Sequence, residues 1–169
     1  MNNIYIIDTS SFIKIEPESY PTDIFVSMWN YLEDLIEKGR IISHIKVLEQ
    51  LKEYEGKKRG IIVWAEKHKD IFKQITPSQI NIVREIINTD NFKALINTDK
   101  PNGDTDVFII ALALEKPTQE TLYSFNSKKI VVSEEKEHGD KIKIHFVCKH
   151  YKIECIDIFE MFRREGWKW

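Results

Sequence analysis

Cysteine is almost missing from this chain: Cys148 and Cys155 are the whole complement. They read as two buried apolar thiols near a helix–strand junction. His145 and His150 lie close by, but the run C-K-H-Y-K-I-E-C follows no standard zinc spacing. Net charge is nearly missing too. A formal charge of −2 excludes a strongly basic nucleic-acid binder held by net charge alone, though not local basic patches. No apolar run reaches the ~18 residues that a membrane helix needs. The N-terminus carries no signal-peptide pattern, and repeats and low-complexity stretches are absent. Together these absences predict a soluble, cytoplasmic protein with no membrane partner.

What is there is an ordinary globular mixture, 42% apolar and 31% charged over 169 residues. That suits one domain, 1–169, with a sizeable buried core. Residues 3–8 read as a β-branched strand, apolar on both faces, fit for the centre of a parallel sheet. A short helical turn follows from Ser10 or Ser11. Ile24, Phe25, Met28, Trp29, Leu32, Leu35 and Ile36 recur at helical spacing, and Gly39 stops that helix. RIIS (40–43) is a short strand or extended segment. Ser43 is placed to cap a helix whose stripe is Ile45, Leu48 and Leu51. IIVWAEKHKDIF (61–72) reads as a further helix. Thr76-Pro77-Ser78-Gln79 is a capping-box start with proline at the first helical position; FKALI continues helically after that helix. PNGD (101–104) is a turn. TDVFIIALALE, almost wholly apolar, is a helix buried on most of its surface. QETLYSFNSKK stays ambiguous between loop and strand. KIVVS and KIECIDI are strands, EKEHGDK a solvated loop, HFVCKHY and FEMFRRE helices. Trp29 and Trp64 belong to the core. The order predicts an α/β layer fold with a mainly parallel central sheet.

Three acidic points fall at element ends, where open parallel sheets build their sites, and Glu49 is a fourth. Asp8 ends the first strand, and a carboxylate in that setting must be capped, paired or metal-bound. Asp104 and Asp106 open the buried helix. Glu134 and Glu135 end the IVVS strand. Glu49 lies one turn into the helix after RIIS. Each alone has an ordinary explanation: a capped turn, a helix N-cap and dipole, a solvated strand end, a surface residue. Together they would repel one another unless a cation neutralised them. An oxygen-only donor set favours Mg²⁺ or Mn²⁺ over zinc. Thr9 or Ser10 stands ready to orient a water or a phosphate oxygen. The fitting chemistry is phosphodiester hydrolysis.

These residues, in this order, resemble the PIN-domain nucleases, the family that contains the VapC-type toxins. YIIDTSSFI looks like the first family motif, with Asp8 as its acid. Ser43 to Leu51 is similar to the second, with Glu49 in the acidic place. Asp106-Val-Phe-Ile-Ile-Ala-Leu-Ala-Leu resembles the third, and Val131-Val132-Ser133-Glu134-Glu135 the fourth, with Glu135 as the acid. The likeness is greater still to an uncharacterised PIN-like bacterial and archaeal subgroup, through the DIF-x-S-x-W helix and the tail VCKHYKIECIDIFEMFRREG. The resemblance implies a three-layer αβα PIN-like fold and a Mg²⁺/Mn²⁺-dependent endoribonuclease. Asp8, Glu49, Asp106 and Glu135 would be catalytic. Asp8, Asp104, Asp106, Glu134 and Glu135 would be the metal-ligating group. It also implies RNA as substrate, a role as the toxin of a toxin–antitoxin pair, an antitoxin partner and a homodimer. Two departures stand out: Glu135 where many family nucleases carry Asp, and a longer segment at about 54–102, read as a helical insertion able to form a lid or partner-binding face. A DNA nuclease or other phosphodiesterase, or an inactive PIN-like binding module, are the alternatives. Lys57, Lys58 and Arg59 form a basic loop, either a solvated surface loop or a nucleic-acid contact.

Overall fold

The computed structural model describes residues 3–54, 59–88, 92–116, 127–136 and 142–168. The chain runs β1 (Asn3–Ile7), α1 (Thr9–Lys14), α2 (Val26–Glu37), β2 (Ile41–His44), α3 (Ile45–Lys52), α4 (Arg59–Lys67), a 3-10 turn (Lys69–Ile71), β3 (Phe72–Lys73), α5 (Pro77–Asn88), a second 3-10 turn (Phe92–Leu95), α6 (Thr105–Leu114), β4 (Lys128–Val132), α7 (Ile144–His150), β5 (Glu154–Ile156) and α8 (Ile158–Arg164). The five strands form one sheet in the order β3-β2-β1-β4-β5, every neighbouring pair parallel. This is a three-layer αβα fold. The chain starts in the middle of the sheet, builds outward to β3, then crosses back to place β4 on the other side of β1. Such a reversal opens a crevice at the carboxyl ends of the central strands.

Tyr5, Ile6 and Ile7 of β1 and Ile130, Val131 and Val132 of β4 are buried, because helices cover both faces of the central strands. α6 buries Thr105 and every residue from Val107 to Leu112, as its all-round apolar sequence requires. Trp29 and Trp64 are both core residues, 5.7 Å apart. At the amino end of the sheet, Arg40 grips Glu165 through two hydrogen bonds of 2.8 and 2.6 Å, and the Tyr5 hydroxyl donates to the same carboxylate at 2.6 Å. This fork ties β1 to the end of α8.

Several elements depart from the sequence expectation. α2 begins at Val26, and Ile24 is 70% exposed. The chain there turns on Pro21, whose carbonyl accepts from the Ile24 and Phe25 N–H groups, and the Phe25 ring packs back on Tyr20. His44, rather than Ser43, caps α3, its Nδ1 accepting from Lys46 N–H. Ser43 remains in β2 and donates to the Ile7 carbonyl at 2.6 Å. The expected helix through Phe72 ends at Lys67, and Phe72–Lys73 joins the sheet edge instead, so the 54–102 segment is not purely helical. FKALI supplies only a 3-10 turn. The last strand stops at Ile156 because Asp157 caps α8, accepting from Glu160 N–H at 2.7 Å. The capping box at Thr76 is reciprocal: Gln79 N–H donates to Thr76 Oγ1, and Thr76 N–H to Gln79 Oε1. Most of the ambiguous QETLYSFNSKK stretch and of the EKEHGDK loop lies outside the described residues, as do Lys57 and Lys58; Arg59 begins α4.

Candidate functional site

Ile7 of β1 is in register with Val132 of β4, so the next residues, Asp8 and Ser133, emerge side by side at the crevice. Asp8 is both cap and buried charge. Its Oδ1 accepts from Thr9 N–H at 2.7 Å, which starts α1. Its Oδ2 accepts from Ser10 Oγ at 2.8 Å and Ser133 Oγ at 3.0 Å. Burial pushes the Asp8 carboxyl above the usual range, these three donors pull it back, and Glu135 pushes it up again. The structure shows the cap reading of Asp8 directly, and its carboxylate also lies close enough to Glu135 and Asp106 for charge to act between them.

Asp106 comes from the first turn of α6, is half-buried and lines the crevice. Its carboxyl sits well above the usual range, first through burial, then through Asp8 and Glu135, with Lys143 opposing. Glu135 follows β4. Its Oε1 is 3.3 Å from Lys143 Nζ, and its Oε2 is buried without a hydrogen-bond partner. Asp106, Glu135 and Lys143 line a cleft of about 580 Å³, together with Gln50, Lys100, Asn102 and Gly103. The far wall, Ala94 to Asn102, belongs to the long 54–102 segment, so that segment forms part of the site.

The other expected ligands stand elsewhere. Glu49 is exposed on α3, while Gln50 beside it faces the cleft and accepts from Thr9 Oγ1. Asp104 makes no side-chain cap and pairs with Lys46 at 3.2 Å. Glu134 turns toward α8: its Oε1 accepts from Ile158 N–H at 2.9 Å and from Ser11 Oγ at 3.2 Å. Ser10 takes part, both donating to Asp8 and accepting from Glu134 N–H. Cys148 in α7 and Cys155 in β5 are free thiols; contact with Cys155 and burial push the Cys148 thiol up.

A family model described as a domain of unknown function, DUF4411, matches residues 5–169. The chain belongs to the DUF4411 family. Comparison with curated proteins and with solved structures gave no match. In this DUF4411 chain the carboxylates are brought together as a trio, Asp8, Asp106 and Glu135, rather than as the larger set. Burial and the neighbouring carboxylates raise Asp8 and Asp106, and the Oε2 of Glu135 is buried without a hydrogen-bond partner. Among the described residues, no three His, Cys, Asp or Glu side chains form a ready-made metal site, and none of the helices is long and apolar enough to cross a membrane. Sequence reasoning missed Gln50, Ser133 and Lys143 as members of this DUF4411 site. Ser133 had a signal, since it directly follows the strand that pairs with β1.

Proposed function

We propose that this DUF4411 protein is a Mg²⁺- or Mn²⁺-dependent nuclease of PIN-like type that hydrolyses RNA. The observation that carries the reading is the carboxylate trio itself: Asp8, Asp106 and Glu135 converge at the topological switch point of a parallel sheet, where burial first, and then the neighbouring carboxylates, raise Asp8 and Asp106. Asp8, Asp106 and Glu135 would hold the ion, which when bound lowers the pKa of water and stabilises the leaving oxygen. Ser10 and Ser133 hold the Asp8 carboxylate in one orientation. Lys143 and Lys100 on the cleft wall bind backbone phosphate, and Asn102 offers an amide donor and acceptor there. The toxin role rests on the resemblance alone.

The test is to titrate the protein with Mg²⁺ and Mn²⁺ by calorimetry and to digest RNA and DNA oligonucleotides side by side with and without the ion. Cleavage of RNA that requires the ion and disappears in Asp8→Asn is the expected result. No ion binding at millimolar concentration together with no cleavage overturns the proposal. Metal-dependent cleavage of DNA alone would replace the substrate. A second reading, a binding module that works without metal, is favoured by the Lys143 ammonium, which already neutralises part of the trio.

A further inference from the structure

Phe146 is a large ring left half exposed, 50% accessible, on a helix whose other apolar residues, Ile144, Val147 and Cys148, are buried. It is not loosely placed. Its ring lies 6.2 Å from that of buried Phe92, nearly perpendicular to it, and the His150 ring packs on the same Phe92 at 5.1 Å. Phe146 and His150, four apart, share one face of α7, and Lys143 is the N-cap that precedes that helix. The position relative to the cleft is defined on both sides. Ile142 and Lys143, which line the cleft, directly precede α7, and Phe146 comes about 4.5 Å further along the axis. Phe92 opens the 3-10 turn whose Ala94 and Leu95 also line the cleft. Lysines neighbour the ring along the chain: Lys143 lies three residues before it at the head of α7, exposed Lys149 three residues after it, and exposed Lys93 directly follows Phe92, while Lys100 lines the cleft wall.

We infer that Phe146 is a stacking platform for an unpaired base of single-stranded nucleic acid running out of the cleft, which deepens the proposed function and rests on it. A rigidly backed aromatic face beside mobile cations is how proteins hold a single strand without reading its sequence: the ring takes a base, the cations take the phosphates. In a duplex each base is covered by its stacked neighbours, so no face is free for the ring. The charge pattern selects this occupant over a second copy of the chain, since the exposed Lys93 and Lys149 that neighbour the ring along the chain would repel their counterparts on another copy.

The experiment uses the full chain in chelator, so that nothing is cleaved. Fluorescence anisotropy compares a short single-stranded oligoribonucleotide with the duplex of the same sequence. The wild type is expected to bind the single strand more tightly. Phe146→Ala is expected to lose about tenfold of that affinity and little of the duplex affinity, and Phe146→Trp to keep it. Lys149→Ala should reduce the salt dependence of binding. Equal affinity for both forms, or unchanged single-strand affinity in Phe146→Ala, overturns the inference while leaving metal-dependent cleavage intact. Loss of a wild-type dimer in Phe146→Ala, seen by sedimentation with RNA affinity unchanged, overturns it in favour of a self-association face. No binding to either oligonucleotide also overturns it, and the separate cleavage assay then decides whether the nuclease reading falls as well.

Discussion

Ser133 Oγ lies 3.0 Å from Asp8 Oδ2 and so fastens the end of β4 to the end of β1 at the point where the carboxylates meet. The same oxygen accepts from Glu135 N–H at 3.3 Å, which sets the direction in which Glu135 leaves the strand. Ser133 is 1% exposed, so Ser133→Ala strips a donor from a buried carboxylate with no water to replace it. The expected cost is about 1 to 3 kcal/mol in urea unfolding. Asp8→Asn, by contrast, removes a buried charge and keeps an Oδ1 acceptor for the cap. It is expected to fold at least as stably while cleavage drops about a hundredfold or more. A stable, fully active Asp8→Asn would remove Asp8 from the chemistry.

The raised carboxyls of Asp8 and Asp106 make stability depend on pH in a defined sense. Because their folded values lie above the ordinary carboxylate value of about 4, the native state binds more protons than the unfolded chain in the window between. Stability therefore falls as pH rises through that window. Buried His44 is held below its ordinary value and acts the other way up to about pH 6.5. Comparing wild type with Asp106→Asn isolates the acid effect: the stability gained by the substitution should grow as pH rises from about 4 toward neutrality. A difference that stays flat across melting curves in that range contradicts the placement of Asp106.

Glu49 and Gln50 separate the sequence reading from the structure. Glu49→Ala is expected to leave both stability and cleavage nearly unchanged, within about 0.5 kcal/mol for a surface position. Gln50→Ala removes the partner of the Thr9 hydroxyl and one wall of the cleft, and should lower cleavage about tenfold, as loss of a positioning contact does. Parallel rate measurements on the two variants settle which of them faces the substrate.

The reason Gln50 was not legible lies in helix phase. Each residue turns an α-helix by about 100°. A stripe of Ile45, Leu48 and Leu51 points the core-facing side so that Glu49 flanks it. The structure buries Val47 with Leu48 and Leu51 instead, which rotates the flank onto Gln50 and sends Glu49 outward. In a helix of eight residues, one exchanged apolar position is enough. Asp8 and Asp106 were legible because a strand end and a helix head fix direction without any phase. The central strands β1 and β4 announced themselves by continuous apolar runs, whereas β3 is two residues long and carries no pattern that length can show. Asp104 and Glu134 were misplaced for a different reason: each has a neighbour, Lys46 or the α8 amino end, that only tertiary structure supplies.

Gly103 offers a test of the cleft wall. A Cβ built there would meet the Asn97 carbonyl oxygen at 1.9 Å, and that contact is backbone, so it has little freedom to give. The neighbouring Asn102 already holds a left-handed φ of 49° to make the turn. Gly103→Ala is expected to cost about 1 to 3 kcal/mol in chemical denaturation. Activity should suffer with it, because Lys100 and Asn102 move with the turn. An unchanged midpoint would contradict the close approach.

The pairing of β1 with β4 joins residues 3–7 to residues 128–132. On a ribosome, the first strand therefore leaves the tunnel long before its central partner has been made. Until then β1 has one unpaired edge in the middle of the future sheet, and closing that gap means closing a loop of more than a hundred residues, the kind of long-range contact that slows folding. Asp8 and Ser133 meet only at that closure. The carboxylate trio is thus assembled late in synthesis, because a nascent chain that has not yet made β4 has Asp8 in place without Ser133 or Glu135 beside it.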